Sequence, residues 1–290
     1  MNGAERVDAI VVGMGPGGEE VAGKLAEAGL SVVGIDAALV GGECPYWGCI
    51  PSKMMIRAAH LLAEARRIPA MAGTVGVTPD WAPVAARIRD EATDNWDDTV
   101  AVRRFEGKGG RFVRGHGRLV SPDTVAVGDL QFRAERAIVL ATGTSPAVPP
   151  VPGLAGTPYW TNHDAIEART LPASIIVLGG GAIGAELTQV FARFGVTTTI
   201  VEAADRLLPL EEPEAGELLA GLFAREAITV ITGVGAASVT HDGGSFHVTL
   251  ADGRSLGAER LLVATGRRVD LAGIGADVLG IDPGARCLLV

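Results

Sequence analysis

The sequence predicts an α/β protein of two doubly wound parallel-sheet domains, on three observations. An apolar run, a glycine cluster and a helical stretch follow one another twice, at residues 8–28 and again at 175–194. Each copy closes with a second apolar strand that ends on an acid, Asp36 and Glu202. The 290 residues, 48% hydrophobic and 20% charged, supply material for two cores at about 150 residues each and carry no signature of disorder.

Taken in order, residues 8–12 read as a buried parallel strand, because their apolar run is too short for a helix and stops at glycine. Helical spacing follows over 19–28, then a strand at 32–35. Past Gly41 and Gly42 come Cys44 and Cys49, and an Ala- and Leu-rich helix is expected from about Ser52 to Ile68, where Pro69 ends it. Residues 81 to about 105 predict a second long helix, half-exposed, with charges at i,i+4 separations. Shorter β-rich pieces are expected at 111–120, 124–127 and 137–140. The proline-rich stretch 145–158 cannot be helical and reads as a stiff connection between domains. The opening unit then recurs as a strand at 175–178, a helix to Phe194 and a strand at 197–201.

The net charge of −9 argues against a nucleic-acid partner, whose phosphates call for clustered Lys and Arg. Anionic cofactors must instead be held by backbone amides and helix ends. The first residues lack the basic start of a signal peptide, and no run approaches the ~18 apolar residues of a membrane span, so a cytoplasmic enzyme is expected. In that compartment a close cysteine pair suggests redox or metal chemistry rather than a structural framework.

Gly13-Met-Gly15-Pro-Gly-Gly18 and Gly179-Gly-Gly181-Ala-Ile-Gly184 both have the G-x-G-x-x-G spacing. Glycine serves there for a tight turn, for close backbone approach to a pyrophosphate and for helix-on-strand packing, with the pyrophosphate resting on a helix N-terminus. One such fingerprint is weak evidence. Here each follows a strand, opens a helix and is answered about 20 residues later by an acid placed to accept ribose hydroxyls. Two Rossmann-like dinucleotide sites follow. Glu202 disfavours a 2′-phosphate and therefore favours NAD over NADP, a preference that nearby Arg206 partly offsets.

Cys44 and Cys49 are separated by four residues, the second just ahead of the expected helix. The positive end of a helix dipole stabilises a thiolate, which suits reversible thiol–disulfide exchange. The alternatives are two inert buried thiols or half of a zinc site, but zinc asks for four ligands and no second pair has the usual spacing. Cys287 reads as a small core residue.

Gly41-Gly-Glu-Cys-Pro-Tyr-Trp-Gly-Cys-Ile-Pro-Ser-Lys53, set between two fingerprints, resembles the active-site signature of the pyridine nucleotide-disulfide oxidoreductases, which include mercuric reductase and dihydrolipoamide dehydrogenase. Ala141-Thr-Gly143 and Ala264-Thr-Gly266-Arg267 resemble the family's two domain-crossing motifs. The resemblance covers essentially the whole chain and implies an NAD domain inserted into an FAD domain: residues 1–145 for FAD, 146–270 for NAD(P), and 271–290 beginning the return to the FAD domain. It implies a relay from NADH through FAD to a Cys44–Cys49 disulfide. Cys49 then faces the flavin in a charge-transfer contact, while Cys44 exchanges with a disulfide, quinone or metal-ion acceptor. Lys53 and Glu186 match a buried ion pair beside the flavin ring. Gly42, Gly117, Thr142 and Gly143 match positions against FAD, and Val234 and Gly266 match the nicotinamide side.

Glu43 departs from the usual small hydroxyl before the first cysteine, and Pro45-Tyr46-Trp47 departs from the usual residues between the two. In the family, about the last third of the chain completes the flavin domain and forms a dimer domain whose His-Pro segment supplies a general acid–base. Val290 stops short of it, so a homodimer is expected of the full-length form and a nucleotide-binding module without turnover is the alternative for this one; a flavin-dependent quinone or oxygen reductase is a third reading. His60, His116, His163, His241 and His247 lie in no such segment and read as structural or solvent-facing.

Overall fold

A computed structural model describes residues 3–285. The described residues divide into two compact units, one of residues 3–49, 93–145 and 267–285, the other of residues 50–92 and 146–266. Each is built on a parallel sheet, so the predicted fold class holds.

In the first unit the strand Glu5–Val12 lies between Val32–Asp36 and Leu130–Leu140, with Arg111–Arg114 outside Val32–Asp36. These four run parallel, and Thr124–Val127 and Arg118–Ser121 extend the sheet antiparallel beyond Leu130–Leu140. Alternation along the strands separates two cores. Ile10, Val12, Val33 and Ile35 join Leu119, Val125 and Phe132 on one face. Ala9, Val11 and Val32 join Met14, Ala22 and Phe105 on the other, under the helix Pro16–Glu27.

The second unit repeats the plan. The strand Ser174–Leu178 lies between Thr197–Val201 and Arg260–Val263, with Thr229–Ile231 outside, all parallel. The antiparallel ribbon Ala236–His241, Phe246–Leu250 and Ser255–Ala258 shares one core with that sheet, through Phe246, Val248 and Leu250 against Ile176, Leu178, Leu261 and Val263. Each such fully buried side chain is worth roughly 1.5–3 kcal/mol.

Residues 50–92 belong with the second unit, whereas the sequence boundaries group them with residues 1–145. Two contacts give the reason. Arg66 donates to the Arg193 carbonyl at 2.8 Å. The Trp81 indole N–H donates to the Ala168 carbonyl at 2.8 Å, and its ring sits edge-on to Phe191 and Phe194.

Four local expectations are corrected. The helix expected over 81–105 is broken into Ala82–Arg87, a π-helical turn Ile88–Ala92, a 3₁₀ turn Asp94–Trp96 and Thr99–Glu106. Asp94, Asn95 and Trp96 take positive φ, and the Asp97 carboxylate accepts the Thr99 N–H at 2.8 Å, so the run of Asp and Asn side chains outweighs helical periodicity. The cysteine helix begins at Cys49 rather than near Ser52 and runs to Arg67. The stretch 111–120 is two strands parted by Gly115–Gly117, and the strand expected over 137–140 is the eleven-residue Leu130–Leu140.

Candidate functional site

The two glycine loops are built by the same hydrogen bonds. The Gly13 N–H donates to the Ile35 carbonyl and the Gly179 N–H to that of Val201, both at 2.8 Å. The returning strand closes each loop from the other side, with the Ala141 N–H on Val12 and the Ala264 N–H on Leu178, again at 2.8 Å. No side chain fits between. A Cβ on Gly18 would lie 1.8 Å from the Gly13 carbonyl oxygen, and one on Gly184 would lie 2.0 Å from that of Gly179. The third glycine of each fingerprint therefore lets the helix seat on the loop.

Gly15 and Gly181 are the N-caps of the twelve-residue helices Pro16–Glu27 and Ala182–Arg193, and neither cap is a side-chain hydrogen bond. First-turn amides at the positive end of the dipole, at the carboxyl ends of parallel strands, form a cradle suited to an anion. The acids match as closely. Asp36 accepts the Met14 N–H at 2.6 Å and the Ala38 N–H at 2.7 Å. Glu202 accepts the Gly180 N–H at 2.6 Å and the Ala204 N–H at 2.8 Å. Each carboxylate keeps lone pairs beyond those two bonds that can accept further hydroxyl donors. Arg206 is tied to its own loop, donating to the carbonyls of Leu208 and Pro209 at 2.7 and 3.1 Å.

The cysteine turn is anchored on the first loop. The Gly41 N–H donates to the Met14 carbonyl at 2.7 Å, and Gly42, at φ 64°, presses on Gly15 so closely that a Cβ would meet its Cα at 2.8 Å. Cys44 stands two residues on, half-buried in the four-residue helix Glu43–Tyr46, and Cys49 is exposed at the start of the next helix. Gly48 folds the turn back, since a Cβ there would lie 3.5 Å from the Cys44 Cα. From Pro45-Tyr46-Trp47, Tyr46 points inward and Trp47 packs at 5.9 Å from its ring. Burial raises the Tyr46 phenol above its ordinary pKa, with the carboxylates of Asp98, Glu19 and Asp97 adding to the effect. Asp98 is a residue that sequence reasoning missed. Its buried carboxylate accepts the Val40 N–H at 2.6 Å and pairs with Arg114 at 2.5 Å, holding the approach to the cysteines from 58 residues away with no local signal.

Lys53 and Glu186 both have exposed side chains, whereas the resemblance implies a buried pair. The cysteine helix buries Pro51, Met55 and Ala59, which puts Lys53 on the opposite face. Glu186 lines a concavity of about 240 Å³ with Ile56, His60, Gln189 and Arg193. Lys53 lines another of about 280 Å³ with Ile50, Met54, Arg57 and Arg87. Thr142 and Gly143 are exposed just beyond Leu140, and Gly117 abuts Val12 and Ile35 at the ends of the first two parallel strands. Gly266 follows Ala264 at the equivalent place in the second unit. Val234 faces the core with Ile176 and Val201, so any ligand contact there falls to its backbone. Among the described residues no three His, Cys, Asp or Glu gather as a metal site, and no helix is long and apolar enough to cross a membrane.

The family model described as pyridine nucleotide-disulphide oxidoreductase matches residues 7–286. The chain belongs to this family. Within it, the chain is 33% identical to a mercuric reductase of Acidithiobacillus ferrooxidans, over all of this chain and 54% of that protein. It is 34% identical to a dihydrolipoyl dehydrogenase of Chlorobaculum tepidum, over 96% of this chain and 61% of that one. The chain thus spans about half to three-fifths of the length of these relatives. Among solved structures it resembles the Cu(II) complex of an HOCl-induced flavoprotein disulfide reductase from Escherichia coli, with a TM-score of 0.84 and 26% identity, over all of this chain and 62% of that chain.

Proposed function

We propose that the chain is the electron-transfer core of an NADH-dependent flavoprotein that reduces a disulfide or metal-ion acceptor through Cys44 and Cys49. The observation that carries this is the cysteine turn seated, through Gly42, on the glycine loop of one dinucleotide cradle, in a chain that holds a second cradle of identical construction.

FAD fits the first unit. Its pyrophosphate suits the amides after Gly15, its ribose suits Asp36, and Gly13, Gly18, Gly42, Gly117 and Gly143 leave the backbone bare around that cradle, with exposed Thr142 beside Gly143. The nicotinamide nucleotide fits the second, on Gly179, Gly181, Gly184 and Gly266, with Glu202 for the ribose. The free carboxylate lone pairs of Glu202 and the engagement of Arg206 with its own loop support NADH over NADPH. When bound, the flavin supplies a two-electron carrier between nicotinamide and sulfur.

The chain's own chemistry is thiol–disulfide exchange. With the pair reduced, the Cys44 thiolate attacks an acceptor disulfide, forms a mixed disulfide and expels one acceptor thiolate. The Cys49 thiolate then attacks the Cys44 sulfur, releases the second acceptor thiolate and restores the Cys44–Cys49 bond.

The test is spectral. Loaded with FAD and given one equivalent of NADH, the protein should develop a long-wavelength absorption that Cys49→Ser lacks. Failure to bind flavin, or an identical absorption in the variant, would refute the reading.

A further inference from the structure

Glu43 stands where the family carries a small hydroxyl, and the structure supplies a partner for its charge. Arg267 reaches it at 3.2 Å, with the two side chains 26% and 36% exposed, so water screens the pair less than it would on open surface. The same guanidinium donates through Nε to the Thr144 hydroxyl at 2.6 Å and through Nη2 to the Thr144 carbonyl at 2.5 Å. One planar cation thus joins the residue before Cys44, the residue after Thr142-Gly143 and the residue after Gly266. A planar fork of donors can serve an acid and a carbonyl together, which a lysine ammonium does poorly.

Glu43 is also the seat of the cysteine turn. Its carbonyl accepts the Trp47 N–H at 2.8 Å, and Gly48 is pressed so near that a Cβ would lie 3.0 Å from that oxygen. Fixing the Glu43 side chain therefore fixes the main chain on both sides of Cys44.

We propose that Arg267 is a positioning residue that, through Glu43, clamps the cysteine turn to the Thr142–Thr144 turn and sets the accessibility of Cys44. This deepens the reading of Cys44 as the exchanging thiol, on which its functional meaning rests. It gives the unusual carboxylate ahead of the cysteine a partner in the arginine of the second crossing motif.

The experiment needs neither NADH nor turnover, so its outcome is separate from that of the electron relay. The reduced, purified protein is treated with iodoacetamide at a pH of about 10, above the ordinary thiol pKa of about 8.5, so that differences in ionisation are small. Sulfur displaces iodide, and mass spectrometry reads Cys44 and Cys49 separately. Cys49 is the internal control, because global loosening accelerates both. Arg267→Gln and Glu43→Gln should each speed Cys44 relative to Cys49 by about fivefold or more, with the double variant no faster than the singles, as expected for two residues acting through one contact. Arg267→Lys should fall between, keeping the charge but losing the fork. Glu43→Gln tests the clamp on its own if Arg267→Gln fails to fold. An unchanged Cys44-to-Cys49 ratio in the single variants, or effects that multiply in the double, would overturn the proposal.

Discussion

Replacing Gly18 by alanine puts the seating of the first fingerprint helix to a quantitative test. The added Cβ falls 1.8 Å from the Gly13 carbonyl oxygen and 2.9 Å from its carbon, both backbone atoms that cannot swing away. To restore a contact of about 3.5 Å the helix must retreat by about 1.7 Å, and overpacking of this kind costs about 1–3 kcal/mol. Because the clash is with backbone, the cost lies near the top of that range, and alanine's helix preference returns about 0.5–1 kcal/mol, leaving a loss of about 2 kcal/mol. Gly17 is the control, one residue away in the same helix, with nothing within 4 Å of a Cβ, and Gly17→Ala should gain that preference uncontested. With a urea m-value of about 2 kcal/mol/M, Gly18→Ala should unfold about 1 M earlier than wild type, and Gly17→Ala slightly later. The retreat also withdraws the first-turn amides, so flavin retention should fall in Gly18→Ala alone. Equal midpoints for the two variants would refute the seating argument.

Two further outcomes follow from the residues around the cysteine turn. The fold favours the neutral Tyr46 phenol, so its contribution to stability is whole below the ordinary phenol pKa of about 10 and is lost as pH rises through the higher folded value. The urea midpoint of the wild type should therefore fall more steeply above pH 10 than that of Tyr46→Phe, and parallel curves would contradict the effect. Asp98 Oδ2 accepts from both Val40 and Arg114, and Asp98→Asn removes the negative charge behind that shared oxygen. It should cost about 1–2 kcal/mol, with faster hydrogen exchange at the Val40 amide as its local signature, read by NMR or mass spectrometry.

What the sequence made legible was whatever rests on local pattern. The glycine fingerprints, the strands that feed them and the acids 18 to 23 residues on from their glycines are each fixed by neighbours in the chain, so spacing alone reveals them. The sequence pattern starts the cysteine helix three residues late because Cys49 is exposed and adds nothing to an apolar pattern, while Pro51 at its third position resembles a boundary. The helix expected over 81–105 misled for the opposite reason, since its periodicity is real on either side of the Asp94–Asp98 cluster. Asp98 and Arg267 owe their places to residues 58 and more than 200 positions away, and long-range pairs of that kind leave no mark on a single sequence.

Asp36 and Glu202 are each bonded to the second residue of their own glycine loop and to the amide two places beyond themselves. The curvature of both loops is therefore cast while the chain folds, and a nucleotide meets a finished mould. The entropy of ordering the loop has by then been spent in folding, so it does not weaken association. By the same token, converting either acid to an alanine would soften the mould as well as remove the ribose contact proposed for it, and the lost affinity would exceed what one hydrogen bond explains.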